Sequence, residues 1–135
     1  MIAYVVASHG DFSEGIKNSA FMIFGKQEKV ESVIFERGDS PDELANKYQK
    51  ALDQFDADDQ VVFLVDLYGG TPFNIASRIV ADNIDRMSLV TGLNLSMLVE
   101  AFTVRDQDIK QVVPHLEATA KAGVRHLELQ NGSED

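Results

Sequence analysis

The 135-residue sequence contains no cysteine. That removes disulfide frameworks, thiolate zinc sites and cysteine nucleophiles together, and it agrees with a reducing compartment. Basic residues are scarce: 12 Lys and Arg stand against 22 Asp and Glu, a formal charge of −10. This argues against nucleic acid or an anionic membrane as a partner, because phosphate-rich surfaces are held by Lys and Arg. The acidic excess serves solubility, with steering of a basic partner protein as a lesser role. Long hydrophobic runs are missing too. The N-terminal MIAYVVASHG has no basic leader, and its apolar run is too short for a signal sequence or a membrane span. The chain is therefore expected to be soluble, cytoplasmic and without membrane insertion. There is no internal repeat, low-complexity tract or linker, which leaves one domain over residues 1–129 and a short polar tail, QNGSED, over 130–135. A domain of this size buries roughly two-thirds of its unfolded surface and needs neither metal nor disulfide to fold.

What is present alternates between short apolar runs and amphipathic stretches. Ile2–Ala7 is continuously apolar, as a strand buried on both faces should be. Asp11 and Glu14 have capping-box spacing and open a helix to about Gly25, with Ile16, Ala20, Ile23 and Phe24 on one face. Val30–Phe35 is a second strand. Ser40, Pro41 and Glu43 mark a further helix start, whose stripe is Leu44, Tyr48, Ala51, Leu52 and Phe55. Val61–Val65 is a third strand ending at Asp66, and Thr71-Pro72 opens a helix carrying Phe73, Ala76, Ile79 and Val80. Met87–Thr91 is a fourth strand, and Asn94 caps a helix to about Thr103. A last helix covers roughly 107–121, kinked or restarted at Pro114, and Val124–Leu129 forms a poorly alternating final strand. This order specifies an α/β three-layer sandwich with a mostly parallel central sheet and helices on both faces.

In such sheets functional groups gather at the carboxyl ends of strands near a topological switch. The first strand ends Ser8-His9-Gly10-Asp11, and the third leads into Asp66-Leu67-Tyr68-Gly69-Gly70-Thr71-Pro72-Phe73-Asn74. If these strands are neighbours, His9 and Asp66 meet. A carboxylate that accepts from one ring nitrogen fixes the imidazole tautomer and leaves the other nitrogen as a nucleophile. It also offsets the positive charge the ring gains on bonding phosphorus. Gly69, Gly70 and Thr71, with Phe73 and Asn74 in the first turn of the following helix, are expected to cradle a phosphoryl group, since a helix N-terminus offers free amides and a favourable dipole. Thr71 adds a hydroxyl as cap or phosphate ligand. Each feature alone is common in α/β proteins; their coincidence at strand ends points to phosphoryl transfer.

These residues carry a family pattern. Over essentially residues 1–129 the sequence resembles the IIA proteins or domains of the mannose-class sugar phosphotransferase system. The marks are Ser8-His9-Gly10, the ordered stretch Phe63 to Asn74, and Gly92-Leu93-Asn94-Leu95-Ser96-Met97-Leu98. The resemblance implies that His9 is phosphorylated at Nε2 by the phosphohistidine of the small carrier HPr, and that Asp66 pairs with Nδ1. Thr71 would lie beside the phosphoryl group. The product would pass to a IIB component, expected as a separate protein because the chain stops at Asp135. The resemblance further implies a homodimer in which the last strand, Val124–Leu129, crosses to the partner's sheet. A related branch serving dihydroxyacetone kinase differs in the turn sequence.

His115 and His126 have no glycine turn nearby and are expected to be structural. They make no metal spacing with His9, so no metal and no other cofactor is expected. Asp56, Asp58 and Asp59 are read as a solvated acidic loop, and Met22, Met87 and Met97 as core fillers. Two alternatives stand beside histidine phosphotransfer. One is a receiver-like domain phosphorylated on Asp66, which lacks the acidic pair after the first strand that a magnesium site needs. The other is an anion-binding regulatory module in which His9 is idle.

Overall fold

A computed structural model describes residues 1–130; residues 131–135 of the expected polar tail lie outside the described residues. The element order is β1 (Ile2–His9), α1 (Phe12–Phe24), β2 (Val30–Phe35), α2 (Pro41–Leu52), β3 (Gln60–Val65), α3 (Thr71–Ala81), β4 (Met87–Thr91), α4 (Leu95–Thr103) and α5 (Ile109–Ala122). The strands form one parallel sheet in the order β2-β1-β3-β4. From β1 the chain first moves outward to β2, then returns across to β3 and β4. The topological switch therefore falls between β1 and β3, at their carboxyl ends.

Strand periodicity sorts the core into two layers. Ile2, Tyr4, Val6, Val62 and Leu64 face one side and pack with residues of α1, α4 and α5. Ala3, Val5, Ala7, Val61, Phe63 and Val65 face the other and pack with α2 and α3. The central strands β1 and β3 are thus buried on both faces, which is why their sequences read as unbroken apolar runs. On the second side the small Ala3 and Ala7 leave space for large neighbours. Tyr48 and Phe63 meet edge to face there, with ring centroids 5.3 Å apart.

Helix starts follow local chemistry in most places. The Ser40 hydroxyl accepts from the Glu43 amide, and the Glu43 carboxylate accepts from the Ser40 amide, so the reciprocal cap of α2 is complete. Asn94 accepts from the Met97 amide at the start of α4. The Asp11–Glu14 box at α1 is not formed. Asp11 has turned backbone angles (φ −78°, ψ 1°) instead of the extended conformation of a capping residue. The Ser13 amide is taken instead by the Ser8 hydroxyl at 2.7 Å, and the Glu14 carboxylate accepts from Ser32 on β2.

Other expectations need correction. The stripe α1 buries is Ser13, Ile16 and Ala20; Phe21 and Phe24 touch Phe102, while Met22 (88 % exposed) and Ile23 lie on the outer side. Met87 and Met97 are core residues as expected. Asp59 is buried, not solvated: it pairs with Lys29 at 2.8 Å and accepts from the Asp56 amide. The last helix, α5, runs through Pro114 without a break. Val124–Leu129 is not part of the sheet in the single chain: Val124, Leu127 and Leu129 are exposed, and no strand among the described residues pairs with it.

Candidate functional site

The β1–β3 ladder brings the two strand ends together. Ala7 lies beside Val65, and the Asp66 amide donates to the Ala7 carbonyl at 3.2 Å. In a continued parallel ladder the His9 amide would donate next to the Asp66 carbonyl. It donates instead to Asp66 Oδ2, at 3.0 Å. The carboxylate side chain has taken the place of the backbone acceptor, and the same Oδ2 lies 3.0 Å from His9 Nδ1. A carboxylate only accepts, so Nδ1 carries the hydrogen, and in the neutral ring Nε2 carries the lone pair. Asp66 Oδ1 is occupied too, accepting from the Leu67 amide at 3.0 Å. Both oxygens of Asp66 are therefore engaged in holding the turn and the imidazole, which leaves it poorly placed as the nucleophile of a receiver domain.

The backbone of His9 is held from the other side by groups to which the sequence assigned no positioning role. Ser8 is fully buried; its hydroxyl donates to the Gly10 carbonyl at 2.9 Å while accepting from Ser13. The Ser13 hydroxyl donates to the Val33 carbonyl, and the Gly10 amide to the Phe35 carbonyl, so the turn after β1 is tied to β2. The His9 ring also rests edge-on against Phe35, with centroids 5.9 Å apart. The only sequence signal for these roles was a pair of small hydroxyl residues flanking His9 at a strand-to-helix turn.

The free side of the ring faces the start of α3. Gly70 adopts φ 85° and ψ 173°, a region essentially confined to glycine. A Cβ built there would stand 3.4 Å from both Cε1 and Nε2 of His9. The first helical bond of α3 runs from the Asn74 amide to the Gly70 carbonyl. Thr71 and Phe73 amides thus lie outside the helical ladder, and Pro72 has none to waste. The Asn74 amide, by contrast, is already used. Gly70, not Thr71, occupies the capping position of α3, and no side chain caps this helix start. Phe73 packs against the exposed Tyr68 at 4.5 Å between centroids and supports the turn. Asp11 is exposed. His115 sits on the α5 surface against Glu100 at 2.6 Å, and His126 is exposed in no strand. No group of three or more His, Cys, Asp or Glu capable of holding a metal ion occurs among the described residues.

The model of one family, described as "PTS system fructose IIA component", matches residues 3–117. The chain belongs to this family. The "PTS system fructose-specific EIIA component" of Bacillus subtilis (strain 168) is 35% identical over 133 residues, covering 95% of this chain and 90% of the relative. The "PTS system mannose-specific EIIAB component" of Escherichia coli (strain K12) is 38% identical over 128 residues, covering 93% of this chain but 39% of that longer protein. Among solved structures, the phosphotransferase system component EIIA of Streptococcus agalactiae superposes with a TM-score of 0.84 at 32% identity, covering 93% of this chain and 97% of that one.

This IIA protein is accordingly a component of sugar transport and a transferase that moves phosphoryl groups between proteins. The three-layer parallel sheet expected from the sequence is the family's architecture. None of the helices among its described residues is long and apolar enough to cross a membrane.

Proposed function

We propose that this IIA protein accepts a phosphoryl group from phospho-HPr on His9 Nε2 and passes it to a IIB component, working in the cytoplasm. In the forward step the bond between phosphorus and the donor's histidine nitrogen breaks as a bond to His9 Nε2 forms. The Nε2 lone pair is consumed and the ring becomes positive, while the Nδ1 hydrogen stays on the ring, directed at Asp66. A hydrogen bond to a charged partner is worth roughly 1.5–3 kcal/mol net, enough to speed transfer without making the phosphohistidine too stable to hand on. The amides of the Gly69-Gly70-Thr71 turn and of Phe73, with the α3 dipole and the Thr71 hydroxyl, would meet the phosphoryl oxygens.

The observation that carries this assignment is the 3.0 Å contact between His9 Nδ1 and Asp66, with Nε2 turned toward Gly70 at the switch between β1 and β3. The His9 side chain is 44% exposed, so a docking protein can reach it. Phe12, Leu67 and Tyr68, exposed on the same two turns, offer apolar contact. Incubation with phospho-HPr tests the assignment. Native protein should become labelled, with acid-labile and alkali-stable phosphate, and His9→Ala should not; label in the variant would end it.

The dimer with an exchanged last strand belongs to the same proposal. Among the described residues the outer edge of β4 has no partner strand, and a groove lined by Tyr68, Phe73, Leu89, Thr91 and Val113 runs beside it. The exposed Val124, Leu127 and Leu129 would gain cover there from a second copy. Sedimentation should show a dimer that is lost on truncation after Gly123; a truncated chain that stays dimeric would contradict the exchange.

A further inference from the structure

Tyr48 lies in the middle of α2, fully buried, and takes no part in the hydrogen bonding of its own helix through its side chain. Its hydroxyl donates to the Pro72 carbonyl in the first turn of α3 at 2.8 Å. Its ring meets Phe63 of β3 edge to face. Pro72 follows Thr71 and Gly70, and Gly70 is the residue packed on the Cε1–Nε2 edge of His9. Burial first, and the negative charge of Asp66 second, push the phenol well above its ordinary range, so the hydroxyl remains a donor. A leucine or phenylalanine would fill the same apolar layer. The hydroxyl needs an acceptor in that layer, and the one it finds is the Pro72 carbonyl in the first turn of α3.

From these contacts we infer that Tyr48 is a positioning residue for phosphoryl transfer, holding the N-terminus of α3 at its distance from His9 through the Pro72 carbonyl. The inference rests on His9 being the acceptor. Tyr48 touches neither the imidazole nor the incoming group. Its hydroxyl locks the α3 start against α2, so the Gly70 and Thr71 amides meet the phosphoryl oxygens without a search. Small displacements of such donors cost rate far out of proportion to their effect on stability.

The test compares Tyr48→Phe with Phe63→Leu, which loosens the same core and leaves the hydroxyl in place. Transfer from phospho-HPr is followed in single turnovers across donor concentrations, beside urea unfolding of each protein. Tyr48→Phe should lower the saturating rate about tenfold, with the half-saturating donor concentration unchanged because the docking surface is untouched. Phe63→Leu should lose stability and keep the saturating rate. Amide resonances of Gly70 and Thr71 should shift in Tyr48→Phe and stay in place in Phe63→Leu. An unchanged rate in Tyr48→Phe, or an equal fall in both variants, overturns the role, and so do unmoved Gly70 and Thr71 resonances. Failure of the wild type to label, or label in His9→Ala, would instead strike the assignment of His9, so the two failures are distinct.

Discussion

His9 gives both its backbone amide hydrogen and its ring Nδ1 hydrogen to a single oxygen of Asp66, each at 3.0 Å. One carboxylate oxygen therefore sets the backbone position, the ring rotation and the tautomer of the histidine together. The other oxygen is spent on the Leu67 amide, which keeps the carboxylate from rotating away.

Asp66→Asn keeps a similar shape but removes the negative charge that offsets the phosphorylated ring. The fold should survive, with an unfolding midpoint close to native. Single-turnover transfer from phospho-HPr should slow by about one to two decades, matching the loss of a charge-assisted hydrogen bond. Unchanged transfer would mean Asp66 only shapes the turn.

Gly70→Ala brings two penalties that can be separated. The backbone at φ 85° and ψ 173° disfavours any side chain, at about 1–3 kcal/mol of stability. The new methyl group would also press on Cε1 and Nε2 of His9. Gly92→Ala, at φ 80° with no heavy atom near the added carbon, serves as the control. Both should destabilise in urea titrations, and only Gly70→Ala should strongly slow phosphorylation.

Ser8→Ala removes the hydroxyl that caps the Ser13 amide and ties down Gly10. A lost cap costs about 1–2 kcal/mol. The measured unfolding free energy should fall by that amount, and transfer should slow because the turn bearing His9 loosens. Ser8→Thr, which keeps the hydroxyl, should restore both.

Acid should unfold the protein through carboxylates that the fold holds ionised. Burial alone would raise Asp59, but hydrogen bonds from Lys29 and the Asp56 amide, with the charges of Lys29 and the N-terminus, hold it below its ordinary value. Asp39 is lowered by the Lys47 and Glu36 hydrogen bonds, and Glu14 by Ser32. A depressed folded pKa adds stability above the unfolded value, and that stability is lost as pH falls through the folded one. Stability should therefore be level near neutrality and decline below the ordinary carboxylate range. Asp59→Asn should flatten that acid limb in urea titrations at stepped pH; an unaltered limb would show that the Lys29 pair does not carry it.

Much of this was readable from residues alone, for identifiable reasons. Ile2–Ala7 is apolar throughout because β1 is covered on both sides, and the Ser40–Glu43 cap is wholly local, so each announces itself. His9 and Asp66 could be nominated as strand-end residues, but their adjacency depends on the order β2-β1-β3-β4, which local patterning does not encode. The failures share that origin. The α1 cap comes from Ser8, a strand residue five positions before the amide it satisfies, and not from Asp11 in the expected frame. Asp59 escaped notice as a buried acid because its partner Lys29 lies far back in the chain, on a left-handed backbone turn at φ 55°. Tyr48 was legible as core, while the Pro72 carbonyl its hydroxyl meets was not.

The most direct test is to find which ring nitrogen bears the phosphorus. Protein labelled with nitrogen-15 in histidine, phosphorylated by phospho-HPr, should show phosphorus coupled to Nε2 of His9 and an Nδ1 that keeps its hydrogen. Coupling to Nδ1, or to His115 or His126, would contradict it.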